Sequence, residues 1–403
     1  MKFSKLSQLL LVSTIGLLAA TLLTSCERTT VDYVFVANSA GSGSGSAGQI
    51  ETYDADSETG ALRSGQPTVP SGGTEPVSMV ATADYANLYV VNQASNNVVH
   101  FAISGSGVLT QKDVVTTSGT PVYVAVNTAE TYLYVVSGPN PSLLTEYPLA
   151  SGAIGSATAQ VTLTLPAYAT DTIVPTGVTV LANNNAVYAT AYDQSAYNPG
   201  GTTTSTANPG WIFGYAVGSG GALAPASGSP FKAGVKPTAL AADPTSRFLY
   251  ATDFASNELI GYTIQSGSVL DFLINGPFKT GNEPNAITID PRGFYIYVSN
   301  GLDSTVSAYV ISLATGTPSA AVNVTGSQTN STDSQPVALI VDPALGRFVY
   351  TANFLGNSVS GFQLNPTTGA LKATQATPYP TGSKPSALAA VPHGNHSIQT
   401  TSP

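Results

Sequence analysis

Cysteine and tryptophan each occur once in 403 residues, and histidine three times. One cysteine excludes an internal disulfide, and a single thiol with three scattered histidines cannot assemble a closed zinc site. Charge is scarce as well. The 13 Lys and Arg and 22 Asp and Glu make up only 9% of the chain, where a globular domain usually carries about a quarter. The formal charge of −9 and pI near 4.6 come without any Lys/Arg cluster, which excludes nucleic acid as a partner and a polybasic membrane patch. No phosphate-cradling Gly-rich loop ending in Lys-Ser or Lys-Thr occurs either.

What remains is a chain that is 42% apolar and solubilised by Ser, Thr, Asn, Gly and Pro. That composition suits strands and turns. A length above ~250–300 residues normally implies several cores, unless the chain repeats itself.

It does. "RFLYATDFASNELIGY" at Arg247–Tyr262 returns as "RFVYTANFLGNSVSGF" at Arg347–Phe362. Aligned on the aromatic, seven copies stand at Phe35, Tyr89, Tyr134, Tyr188, Tyr250, Tyr297 and Tyr350, spaced 45 to 62 residues apart. A proline and an apolar run precede the aromatic strand, as in "KPTALAADP", "EPNAITIDP" and "QPVALIVDP". A polar tip, a third apolar run and a weaker fourth follow it. Four short runs per period, divided by Gly, Pro, Asn and Asp, predict four antiparallel strands.

In Phe248-Leu249-Tyr250-Ala251 both faces of the strand are apolar, so each sheet must be covered on both sides. Radially stacked four-stranded sheets meet that demand: the fold class is all-β, a seven-bladed β-propeller. The first copy lacks its Pro-apolar run, and "KPSALAAVP" at Lys384–Pro392 supplies it from the other terminus. Residues 31–75 with 384–392 therefore form blade one, the ring closes by pairing of the N- and C-terminal segments, and 393–403 reads as a disordered tail.

Three residues after each aromatic stand Asn38, Asn92, Ser137, Ala191, Asp253, Asn300 and Asn353. Asn there suits a strand end. The same ring of polar groups at one mouth of the propeller could bind a ligand, and Asp253, its only acid, is the one catalytic candidate, as a general base. Asn at four equivalent positions implies that Asp253→Asn is mild. Glu75, Lys236, Glu283 and Lys384 precede the repeat prolines and belong to the same face, with Lys236 and Glu283 as further ligand contacts. Asp243, Asp290 and Asp342 recur in one turn context, which marks them as turn residues. "DADSETG" at Asp54–Gly60 resembles part of a calcium loop but aligns with an ordinary hairpin. His100 lies in a strand, away from any Ser-His-acid context. No cofactor or metal is called for. Ser39–Gln49 and Gln194–Gly210 lengthen the turn after the aromatic strand in blades one and four, and long loops on a rigid scaffold are recognition elements.

The repeat Pro-x-Ala-Leu-Ala-x-Asp-Pro-x-x-Arg-Phe-Leu-Tyr-x-x-Asn resembles the lactonase-type, or YVTN-type, seven-bladed propellers, a group that includes 6-phosphogluconolactonase-like proteins and carboxymuconate cyclases. The likeness spans about Val31 to Pro392 and is carried by strand and turn residues. It implies, for members acting on phosphogluconolactone, basic and imidazole groups directly after the repeat proline. Here the residues after those prolines are Val77, Val122, Thr176, Thr238, Asn285, Val337 and Ser386, none of them cationic. A phosphorylated lactone would meet no charge-assisted partner there, so no catalytic residue is carried over.

The N-terminus has Lys2 and Lys5, an apolar stretch from Leu9 to Leu23, then Leu23-Thr24-Ser25-Cys26. This resembles the lipobox of bacterial lipoproteins, which implies cleavage after residue 25 and lipid on Cys26. Losing both lysines takes the formal charge from −9 to −11. Glu27 behind the cysteine favours the outer membrane, and residues 26–30 leave only a short linker. Together these features describe a monomer of the cell envelope, anchored to the membrane outside the cytoplasm. Its expected role is a binding module for a protein, glycan or small ligand. The alternative is a hydrolase opening a neutral, non-phosphorylated lactone at the central mouth.

Overall fold

A computed structural model of the protein describes residues 29–39, 47–165, 171–197 and 209–393. Seven antiparallel sheets follow one another along the chain, and each inner strand lies between the inner strands of the two adjacent blades, so that the ring closes. The fourth strand is continuous in blades one and two. In blades three to seven it is split into two short segments, both paired with the third strand. The tails and loop segments singled out in the sequence at 1–28, 40–46, 198–208 and 394–403 lie outside the described residues.

The aromatic strands are buried over nearly their whole length, and Phe248–Asp253, Tyr295–Asn300 and Phe348–Asn353 completely so. Their apolar character on both faces has a direct cause. There is no single central core; seven apolar clusters each straddle two neighbouring blades. Tyr350 packs with Val34 and Val36 across the seam between blades seven and one, and Tyr250 with Ile296 and Val298 between blades five and six.

The repeat tyrosine also has a polar task. Its hydroxyl crosses to the next blade and donates to a backbone carbonyl in the hairpin between the third and fourth strands. Tyr89 reaches Gly152 at 2.7 Å, Tyr188 reaches Ser268 at 2.9 Å, and Tyr250 reaches Gly316 at 2.5 Å. Tyr297 reaches Gly369 and Tyr350 reaches Gly60, both at 2.9 Å. The accepting hairpin must come very close: a Cβ on Gly316, already at φ +73°, would lie 2.3 Å from the Phe248 ring. Blade one has Phe35 and no such link. In blade three Tyr134 turns to buried Glu146, whose pKa burial raises.

Ring closure follows the expected strand exchange. The first strand, Thr30–Asn38, pairs with Gln49–Asp56 on one side and with Pro385–Pro392 on the other, in register from Asp32 opposite Pro392 to Asn38 opposite Pro385. Asp32 is fully buried at this seam, beside the Asp342 carboxyl and the Ala344 backbone. Burial, and then the neighbouring Asp342, push its pKa well up.

Candidate functional site

Each inner strand pairs on one edge only and turns the other toward the central channel. The seven strands read PVSMVA, PVYVAV, IVPTGVTV, PTALAA, PNAITI, PVALIV and PSALAAVP, without one charged residue. Free backbone N–H and C=O groups therefore set the polarity of the wall, which suits water or neutral hydroxylated molecules. A cavity of about 80 Å³ at the mouth is lined by residues including Ser78, Tyr123, Asn285 and Ser386. A wider space of about 320 Å³ lies deeper along the strands.

Every inner strand is bulged directly after its proline. Three bulge hydroxyls bridge to the proline carbonyl of the next blade: Thr176 to Pro237 and Thr238 to Pro284 at 2.8 Å, and Ser386 to Pro76 at 2.5 Å. The positions that the family resemblance marks for catalysis are thus occupied by apolar groups, an amide, and hydroxyls tied to the neighbouring blade.

The strand-end ring lies on the mouth face but inside the protein. Asn92 accepts from Ser71 at 2.6 Å. Asn300 accepts from the Gly281 N–H and donates to Thr305 and Ser307. Asn353 donates to Ser358 and Ser360. Asn38 is equally buried, and its amide atoms find no partner among the described residues. The four asparagines end strands on one face and are all buried.

Asp253 is 1% exposed, and both of its carboxylate oxygens accept backbone N–H groups. It accepts from the N–H groups of Val235 at 2.8 Å, Lys236 at 2.9 Å and Ala255 at 3.3 Å. In other blades the residue before the proline bonds to the tip of the preceding blade: Glu283 N–H to Asn257, Gln335 N–H to Ser304, and Lys384 N–H to Asn357. In blade four the equivalent tip position is Gly210, which has no side chain to accept, and Asp253 takes the Lys236 N–H with its second oxygen. Gly234 permits this, because a Cβ there would sit 2.1 Å from the carboxylate. Asp253→Asn puts an N–H where an acceptor is needed. It should cost about 1–3 kcal/mol, against the mild outcome that the four asparagines imply. Urea unfolding checks this; an unchanged midpoint would show that the second oxygen is dispensable.

Lys236 and Glu283 lie near one another on the mouth face, and aromatic rings surround the lysine. The Lys236 ammonium lies 4.4 Å from the Phe254 ring centroid, 5.2 Å from Tyr197 and 5.5 Å from Tyr192. Desolvation lowers its pKa, and Glu283 opposes that shift. Burial raises the pKa of Tyr197, with Asp253 and Glu283 adding to it. Tyr192 and Phe254 were not legible as site residues, since they follow the strand-end positions of two different blades. Glu75 and Lys384 occupy the same face elsewhere on the ring, with Lys384 5.7 Å from Phe354 alone.

Among the remaining candidates, His100 is buried, with Nδ1 2.9 Å from Asp113 and Nε2 2.8 Å from Asn87. This resembles two-thirds of a triad, but the second nitrogen meets an amide where a nucleophile would be needed. Asp243, Asp290 and Asp342 each accept backbone N–H groups within their own turns. Asp56 does the same at Glu58 and Thr59 in the hairpin that resembled a calcium loop. Trp211 sits under Lys232, 3.7 Å from its ring centroid.

The closed ring of seven antiparallel sheets is a seven-bladed β-propeller. The family described as lactonase, 7-bladed beta-propeller matches residues 104–400; the chain belongs to that family. Among solved structures it is similar to the periplasmic gluconolactonase PpgL of Pseudomonas aeruginosa, at 19% identity and a TM-score of 0.71, over 89% of this chain and 99% of that one. A Bacteroides uniformis protein with a provisional 6-phosphogluconolactonase assignment gives 18% and 0.70, over 90% and 100%. A Lactobacillus plantarum protein gives 17% and 0.70, over 90% and 99%. These likenesses establish the fold. No curated protein sequence matches.

Proposed function

We propose that this lactonase-family propeller is a hydrolase of a neutral, non-phosphorylated lactone received at the channel mouth. The observation that carries the reading is the absence of charge from all seven inner strands. A wall of backbone amides and hydroxyls suits the hydroxyl and carbonyl groups of a sugar-like lactone, whereas a phosphate would enter without a charged partner.

The test is direct. Purified residues 27–403 should open a neutral aldonolactone faster than its spontaneous hydrolysis, with kcat/KM at least about tenfold above that for the 6-phosphate. Preference for the phosphorylated compound would overturn the assignment. A second reading, a binding module, is favoured by the structural use of Asp253, the one acid of the strand-end ring, whose two oxygens hold the backbone N–H groups of Val235 and Lys236. It prevails if neither lactone is turned over. Under either reading, the Leu23-Thr24-Ser25-Cys26 sequence supports lipidation at Cys26 and a location in the cell envelope.

A further inference from the structure

The Lys236 cluster breaks the regularity of the ring. At Glu75, Glu283, Gln335 and Lys384 the residue before the proline has φ of 55 to 56°, the left-handed region; Thr120, Val174 and Lys236 do not, and of these three only Lys236 is charged. Its N–H is taken by Asp253, and its side chain is set among rings from two blades. Tyr192 and Tyr197 come from the end of the blade-four aromatic strand and the loop behind it, and Phe254 from blade five. A turn device recurs around the ring, whereas a functional group is needed once.

Aromatic faces hold an ammonium in place but do not satisfy its directional N–H donors. Among the described residues the half-buried Lys236 ammonium has no hydrogen-bond or ion-pair partner, whereas Lys279 has Glu258 at 2.7 Å. Glu283 lies close enough to bias Lys236 electrostatically without pairing with it. That pair of charges disfavours an incoming anion and leaves one donor and one acceptor for a neutral ligand.

We propose that Lys236, held by Tyr192, Tyr197 and Phe254, is the hydrogen-bond donor that takes the carbonyl oxygen of a neutral hydroxylated ring, with Glu283 accepting from one of its hydroxyls. This rests on the neutral-ligand reading above and names the residues that would recognise that ligand. They form a binding subsite and need not be the groups that carry out hydrolysis.

The probe is gluconolactam, a ring amide that does not hydrolyse, with binding measured by calorimetry and saturation-transfer NMR on residues 27–403. The wild type should bind it in the roughly millimolar range or tighter. Lys236→Met keeps the apolar stem and should weaken binding at least about tenfold, the loss of one hydrogen bond to a charged group. Tyr197→Ala, which releases the ammonium, should weaken it in the same direction, while Lys384→Met should leave it unchanged. If Lys236→Met does not fold, Tyr197→Ala decides. Equal binding by wild type and both cluster variants, or no lactam binding at millimolar concentration, would overturn the subsite. Lactam binding with this pattern but no lactone turnover would instead defeat the hydrolase reading and leave the subsite standing.

Discussion

Removing Lys384–Pro403 should leave a chain without a cooperative melting transition near that of the intact protein. The segment contributes the inner strand of blade one, paired with Asp32 through Asn38. Ala387, Ala389 and Val391 fill the cluster shared by blades one and two, and Leu388 the one shared by blades seven and one. Its loss opens both seams at once and leaves the first strand with a free, apolar edge. Several kcal/mol lost from a stability of about 5–15 kcal/mol is enough to unfold the ring. The reference truncation must stop after His393, because its N–H donates to the Val31 carbonyl at 2.8 Å and its ring meets Tyr33 at 5.2 Å. His393, predicted to open the tail, is therefore part of the ring's closure. Calorimetry of the two truncations decides the matter: matching melting temperatures would refute terminal pairing.

Cys26→Ala should move the protein from the membrane fraction to the soluble one. Acyl chains contribute about 0.8 kcal/mol per buried CH₂, and stable anchoring takes two chains. One thiol, the only one in the chain, would carry that whole term. Loss of labelled fatty acid together with release from membranes is the expected result. Equal labelling of wild type and variant would remove the case for a lipobox.

The architecture was legible because its signals are local and repeated. The aromatic copies, the Asp-Pro turns and the displaced Pro-apolar run at Lys384 each imply a strand or a pairing without long-range information. The destinations of polar groups were not legible. Nothing around Tyr250 in the sequence says that its hydroxyl crosses to Gly316. Asp253 reads as an odd acid in a ring of asparagines until Gly210, at the tip position of blade four, explains its second oxygen. The Lys236 cluster joins residues from 192 to 283, and His100 meets Asp113 only once two strands pair. Such convergences depend on how blades stack, which no local pattern encodes.

The direction of the first strand has a consequence for how the protein would stand in the envelope. Thr30 begins at the end of the ring that carries the Asp-Pro turns, and Asn38 finishes beside the mouth. Nine residues of strand separate the two ends, about 30 Å at ~3.3 Å per residue. From Cys26 to Thr30 the chain has only four steps, at most about 14 Å when fully extended. With the anchor at Cys26, the tether is too short to wrap round the ring, and the turn face rests toward the lipid while the mouth opens to the aqueous side. Molecules dissolved in the surrounding fluid would then reach Lys236 and the bulged strands unobstructed, whereas those partitioned into the bilayer would meet only the underside.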